Sequence, residues 1–129
     1  MKIEQIFKNL IIANFFLFIA IILSFFLDNQ KVILLSRSLE KGFFDSFIGS
    51  IIIIFVFIFY LIAIYCLYNF KKLGKKIFLY VVIAYIICIL LGKIQIVHQI
   101  SYALQYIATL TDGAILTLLY FSPIKEKFK

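Results

Sequence analysis

Apolar residues run in four long blocks along this chain, over 6–27, 47–68, 77–97 and 102–121, and short charged or polar stretches separate them. A helix needs roughly 20 mostly apolar residues to cross the hydrocarbon of a bilayer. Each block meets that length. The first two are nearly free of charge. The third holds Lys93 one turn from its end, where the long stem can carry the ammonium to the interface. The fourth, which contains "YIATLTDGAILTLLYF", carries Asp112 and is the least hydrophobic. At about 22 residues the first block exceeds the apolar core of a secretory signal, and no small-residue cleavage site follows it, so it reads as a retained span.

The connections supply direction. Basic residues number two ahead of and just inside the first block, four in "NFKKLGKK" (69–76) and three in the tail "SPIKEKFK"; the two remaining connections hold three and one. Nine against four places both termini in the cytoplasm by the positive-inside rule. The chain therefore reads as an all-α integral membrane protein, a single domain of four transmembrane helices in an up-down bundle. Its long loop 28–46 lies outside, its basic loop 69–76 inside, and its tail 122–129 inside. Gly74 reads as the turn former of 69–76, and "HQIS" (98–101) as a tight outer hairpin. Within the long loop, Val32, Leu35, Leu39 and Phe43 recur at helical spacing while Arg37, Lys41 and Asp45 fall on another face. An amphipathic helix on the membrane surface fits this pattern, and an ordinary connector fits it equally.

Composition agrees. Of 129 residues 65% are hydrophobic, and the mean hydropathy is +1.14. A soluble domain of this size could not hide so much apolar surface. The net charge of +7 does not point to nucleic acid, because the basic residues cluster at the ends of apolar blocks. Lys71, Lys72, Lys75 and Lys76 read as topology signals and contacts for anionic lipid.

Catalytic chemistry is missing. Cys66 and Cys88 fall at depths differing by roughly 13 Å at 1.5 Å per residue, too far for a disulfide; they read as small apolar fillers. His98 is the only histidine and lacks the partners of a metal site. No glycine-rich phosphate loop and no nucleophile–base pair is present. The reading is no enzyme, no metal and no cofactor.

Asp112 needs an explanation, because an isolated charge at the bilayer centre is costly by several kcal/mol. Counted from the cytoplasmic boundary of each span, Asp112, Asn14, Tyr60 and Tyr85 all come out roughly 12–13 Å deep. One polar group from each span would thus share a layer, and the amide and hydroxyls can donate to the carboxylate. His98, Ser101, Gln105 and Thr109 lie with Asp112 near one face of span four, with Leu116, Leu119 and Phe121 looking elsewhere. Gly113 would permit close helix approach.

Small multidrug pumps are four-span proteins of similar length, but they rely on an acid in the first span, where this chain has Asn14. The glycine-rich motifs of small fluoride channels are absent. Immunity proteins against pore-forming toxins are similar in being small, basic and multispan, a likeness of composition that covers no motif. The favoured expectation is a multi-pass inner-membrane protein that works by association with another membrane protein, as an accessory subunit or an immunity-type protein. Its contact surface would include Arg37, Lys41, Phe43 and Phe44 in the outer loop, together with the polar face of span four. The alternative is a homo-oligomeric channel or a proton- or cation-coupled carrier built on Asp112.

Overall fold

A computed structural model describes residues 2–27, 30–39, 42–92 and 96–128. Its helices are α1 (Ile3–Ser24), α2 (Gln30–Ser38), α3 (Phe47–Tyr68), α4 (Lys72–Leu91) and α5 (Gln99–Phe121), and no strand occurs among the described residues. Short 3₁₀ turns follow α1 at Phe25–Leu27, precede α3 at Phe43–Asp45 and follow α5 at Pro123–Lys127. The protein is all-α, with four helices long and apolar enough to cross a membrane: α1 with its 3₁₀ extension, α3, α4 and α5. The most apolar stretch of α3 has a mean hydropathy of 3.0, against 1.2 for α5.

Several boundaries differ from the sequence reading, and α4 ends at Leu91, six residues before its apolar block does. Helix α5 starts at Gln99, so 98–101 is not a hairpin; the His98 ring Nδ1 caps the helix by accepting from the Ile100 N–H at 3.2 Å. Helix α4 starts at Lys72, so Gly74 is helical rather than the turn former. The chain reverses one step earlier, at Asn69–Phe70. There the Phe70 N–H bonds the Leu67 carbonyl at 3.0 Å and the Lys71 N–H bonds the Cys66 carbonyl at 2.9 Å. This is the paired closure of a Schellman motif, whose left-handed position usually holds glycine. Here Phe70 occupies it, at φ 53°.

Gly74 has a different task. A Cβ built on it would stand 2.7 Å from Cys66 Cβ and 2.8 Å from the Cys66 carbonyl carbon. Its missing side chain lets α4 lie directly on the end of α3. The α3–α4 and α1–α5 pairings are the two extensive helix contacts, and each pair touches the other less widely, through α1–α3 and α4–α5.

The core sits at one end of this arrangement. Phe7 and Ile11 of α1, Ala63 and Leu67 of α3, Phe78 of α4, and Ile115 and Leu119 of α5 are buried together, closed off by Ile124 and Phe128 of the tail. Leu119 thus corrects the expectation that it looks away. It continues the inward face of Asp112 two turns further on, as the spacing of seven requires. Phe7, Phe70 and Phe128 form a ring cluster with centroids 5.4–5.9 Å apart. Lys127 Nζ pairs with Glu4 Oε2 at 2.6 Å beside it.

The 28–46 segment does contain a helix, α2, but it stops at Ser38, whose hydroxyl donates to the Leu35 carbonyl at 2.7 Å. The helical periodicity does not run on to Phe43, which lies in a separate 3₁₀ turn. On α2, Val32 is half-buried while Ile33, Leu34 and Leu35 are exposed. Lys41, Lys93 and the Arg37 side chain lie outside the described residues.

Candidate functional site

Three helices converge on the amide of Asn14. Its Nδ2 donates to Thr111 Oγ1 and to Asp112 Oδ1, both at 2.8 Å, and its Oδ1 accepts from the Tyr60 hydroxyl at 2.8 Å. Asn14 is 3% exposed, so both donors and the acceptor of its amide are committed to side chains of α3 and α5. Thr111 in turn donates to the Ala108 carbonyl at 2.7 Å, within its own helix. The ring of Tyr60 leans on Phe18 of α1 at 4.8 Å, and Phe18 stacks on Phe57 at 5.5 Å. Aromatic packing thereby holds the donor in place.

This clasp marks where the bundle changes character. Every buried hydrophobic side chain among the described residues lies level with it or on its core side, toward the 69–71 turn. On the other side only Ser24, Gly49 and Ser101 are buried among the described residues. Tyr85 shows the consequence. It follows Phe78 and Val81 on the same face of α4, yet it is 44% exposed and makes no hydrogen bond among the described residues. The geometry therefore brings Asn14, Tyr60 and Asp112 into one hydrogen-bonded group and leaves Tyr85 out of it.

Thr111 belongs to the group although sequence reasoning passed over it. The signal was its position next to Asp112, which a stripe drawn only at intervals of three, four and seven ignores.

Asp112 is bound at one oxygen. Oδ1 accepts from Asn14, and Oδ2 has no partner among the described residues. Nor is Oδ2 sealed in: Ser101 Oγ is the one buried, unpartnered polar side-chain atom found among them. The ion pairs found there all involve Glu4, so no described cation faces Asp112.

The rest of the span-four stripe divides. Ser101 is buried and Gln105 half-buried, while Thr109 is exposed and donates to the Gln105 carbonyl at 2.9 Å. Gly113 does not admit a neighbouring helix within this chain, since nothing lies within 4 Å of the place its Cβ would take. It is exposed, and so are Tyr102, Tyr106 and Thr117, which share its side of α5. Of the loop candidates, Phe43 is exposed, Phe44 is half-buried, and their rings meet edge to face at 5.2 Å. Among the basic-loop lysines, Lys71, Lys72 and Lys76 are exposed, whereas Lys75 places its ammonium 4.3 Å from the centre of the Tyr120 ring. Cys66 and Cys88 are free thiols. No group of three metal-ligating side chains occurs among the described residues.

No family model, curated protein or solved structure matches the chain. Its function is therefore read from the site and the surfaces alone.

Proposed function

We propose that this is a multi-pass protein of the inner (cytoplasmic) membrane, with both termini in the cytoplasm, that works without catalysis by associating with another membrane protein. The observation that carries the reading is the exposed face of α5. Tyr102, Tyr106, Thr109, Gly113 and Thr117 follow one another at intervals of four, three, four and four, which is one helix face, and all are exposed. Between membrane helices there is no hydrophobic driving force, and small residues that admit a neighbouring backbone supply the contact instead. Thr109, Gly113 and Thr117 are such a series, and the hydroxyls of Thr109 and Thr117 already donate to carbonyls of their own helix. They can meet either lipid or a helix without an unsatisfied donor. Tyr102 and Tyr106 extend the face with paired rings, their hydroxyls 3.3 Å apart. The exposed Phe43 of the outer loop supplies a second contact.

In this reading the Asn14–Asp112 clasp is structural. The Glu4–Lys127 pair at one end and the clasp at mid-length support an antiparallel α1–α5 pair, as an up-down bundle needs. A photo-crosslinking residue at Gly113 or Tyr106 should trap a discrete membrane-protein adduct in native membranes, and one at Tyr80, exposed on α4, should not. Absence of any adduct from the α5 positions overturns the association.

The second reading, a channel or proton- or cation-coupled carrier in a homo-oligomer, draws on the open oxygen of Asp112. Asp112→Asn separates the two. It keeps shape and hydrogen bonding but cannot ionise, so a folded and fully active variant rules out transport, and a folded, inactive one supports it.

A further inference from the structure

An open groove of about 320 Å³ runs between α1 and α3, floored by Ile11 and lined by Ile12, Phe15, Leu61, Ile64, Tyr65 and Tyr68. Its walls are almost wholly apolar, as a bed for a hydrocarbon chain must be. Its tyrosine end lies toward the 69–71 turn, and there the chemistry changes. Lys8 Nζ sits 5.3 Å from the centres of both the Tyr68 and Phe70 rings, and Lys71 Nζ sits 5.2 Å from the centre of the Tyr65 ring. Two ammonium groups from different segments thus stand over the rings at one end of an apolar trough. Aromatic faces steady a cation without neutralising it. Glu4 is the acid near them, 4.0 Å from Lys8 and already engaged by Lys127 at 2.6 Å. Lys71 has no acidic partner among the described ion pairs.

We propose that this groove holds one anionic phospholipid, its acyl chain along the α1–α3 trough and its phosphate at Lys8 and Lys71. The charge complementarity decides the occupant: a neutral chain would need only the trough, and a free phosphate only the lysines. The site differs from a diffuse attraction to the basic loop, because it uses Lys8 of α1 and excludes Lys75, which is turned onto Tyr120. It rests on the chain lying in a bilayer, a premise that fails separately if the protein is recovered in the soluble fraction.

Native mass spectrometry of the full chain, released from mixed micelles of phosphatidylglycerol and phosphatidylcholine, reads the site directly. One phosphatidylglycerol should be retained in preference to phosphatidylcholine, and glycerol phosphate alone should not be retained. Lys8→Gln with Lys71→Gln should lower retention by about tenfold or more, as the loss of two interfacial lysines implies. Lys72→Gln with Lys76→Gln should leave it unchanged. Leu61→Trp, which fills the trough without touching charge, should also displace the lipid. Should the double variant fail to fold, the exposed Lys71→Gln alone must still weaken retention. Equal retention of both lipids, retention of glycerol phosphate, undiminished binding in the Lys8/Lys71 or Leu61 variants, or equal loss in the Lys72/Lys76 control overturns the proposal.

Discussion

Asn14 Nδ2 lies 2.8 Å from Asp112 Oδ1, and this bond joins the first and last helices at mid-length. The same amide serves Thr111 and Tyr60, so its removal leaves Asp112 Oδ1 and the Tyr60 hydroxyl without this partner, while Thr111 keeps its bond to the Ala108 carbonyl. Asn14→Leu should destabilise the fold by about 2 kcal/mol or more, because an unpaired buried polar group loses its full desolvation term. Asp112→Leu on the same background should recover part of that loss. A double-mutant cycle on thermal unfolding in detergent should return a coupling on the order of 1 kcal/mol, in the range of bonds between membrane helices. Simple additivity would mean that the bond contributes nothing.

Two glycines in helices should respond in opposite ways. Gly74→Val must push against Cys66 and the Leu67 backbone nitrogen, which a Cβ would already approach to 2.8 Å. A loss of about 1–3 kcal/mol is expected from such overpacking. Gly113→Ala meets open space and should leave the melting temperature unchanged or raise it, since alanine favours the helix by up to about 1 kcal/mol. Gly113→Leu should leave the isolated protein stable but reduce adduct formation with a partner. A stable Gly74→Val protein would show that α4 does not pack as described.

Phe70 combines an unfavourable backbone with favourable contacts. A left-handed conformation is strained for phenylalanine by roughly 1–2 kcal/mol, yet its ring lies 5.8 Å from that of Phe7 and 5.4 Å from that of Phe128. Both Phe70→Gly and Phe70→Ala should destabilise through loss of the ring. The glycine variant should be the more stable of the two, by about 1 kcal/mol. If alanine is equal or better, the turn does not need a left-handed residue.

Reporter fusions test the topology. Fusions after Lys129 and within 69–76 should report cytoplasm, and one near Arg37 should report the opposite side. The ring cluster of Phe7, Phe70 and Phe128 requires the first two positions to lie on the same side as the start of α1. An external C-terminus with an internal 69–76 loop would break that cluster.

The four spans were legible in the sequence because the bilayer acts locally: each crossing must be a continuous apolar run of fixed length, whatever it packs against. The demand that Asp112 find partners was legible for the same reason, since lipid offers it none. Which residues answer was a matter of helix pairing. Asn14 and Tyr60 meet Asp112, directly or through one another, because α1 packs on α5 and reaches α3 at Phe18. Tyr85, at the same reckoned depth, stays out of the clasp, beyond which no hydrophobic side chain is buried among the described residues. Phe70 rather than Gly74 makes the turn, because the reversal falls on a residue whose ring packs against Phe7 and Phe128, while Gly74 lets α4 close on the end of α3. Leu119 proved to be core because it lies seven residues beyond Asp112 on the face of α5 that packs on α1. In a chain apolar on nearly every side, as α3 is between Phe47 and Phe59, hydrophobicity no longer marks the inward face. Only contact between helices selects it.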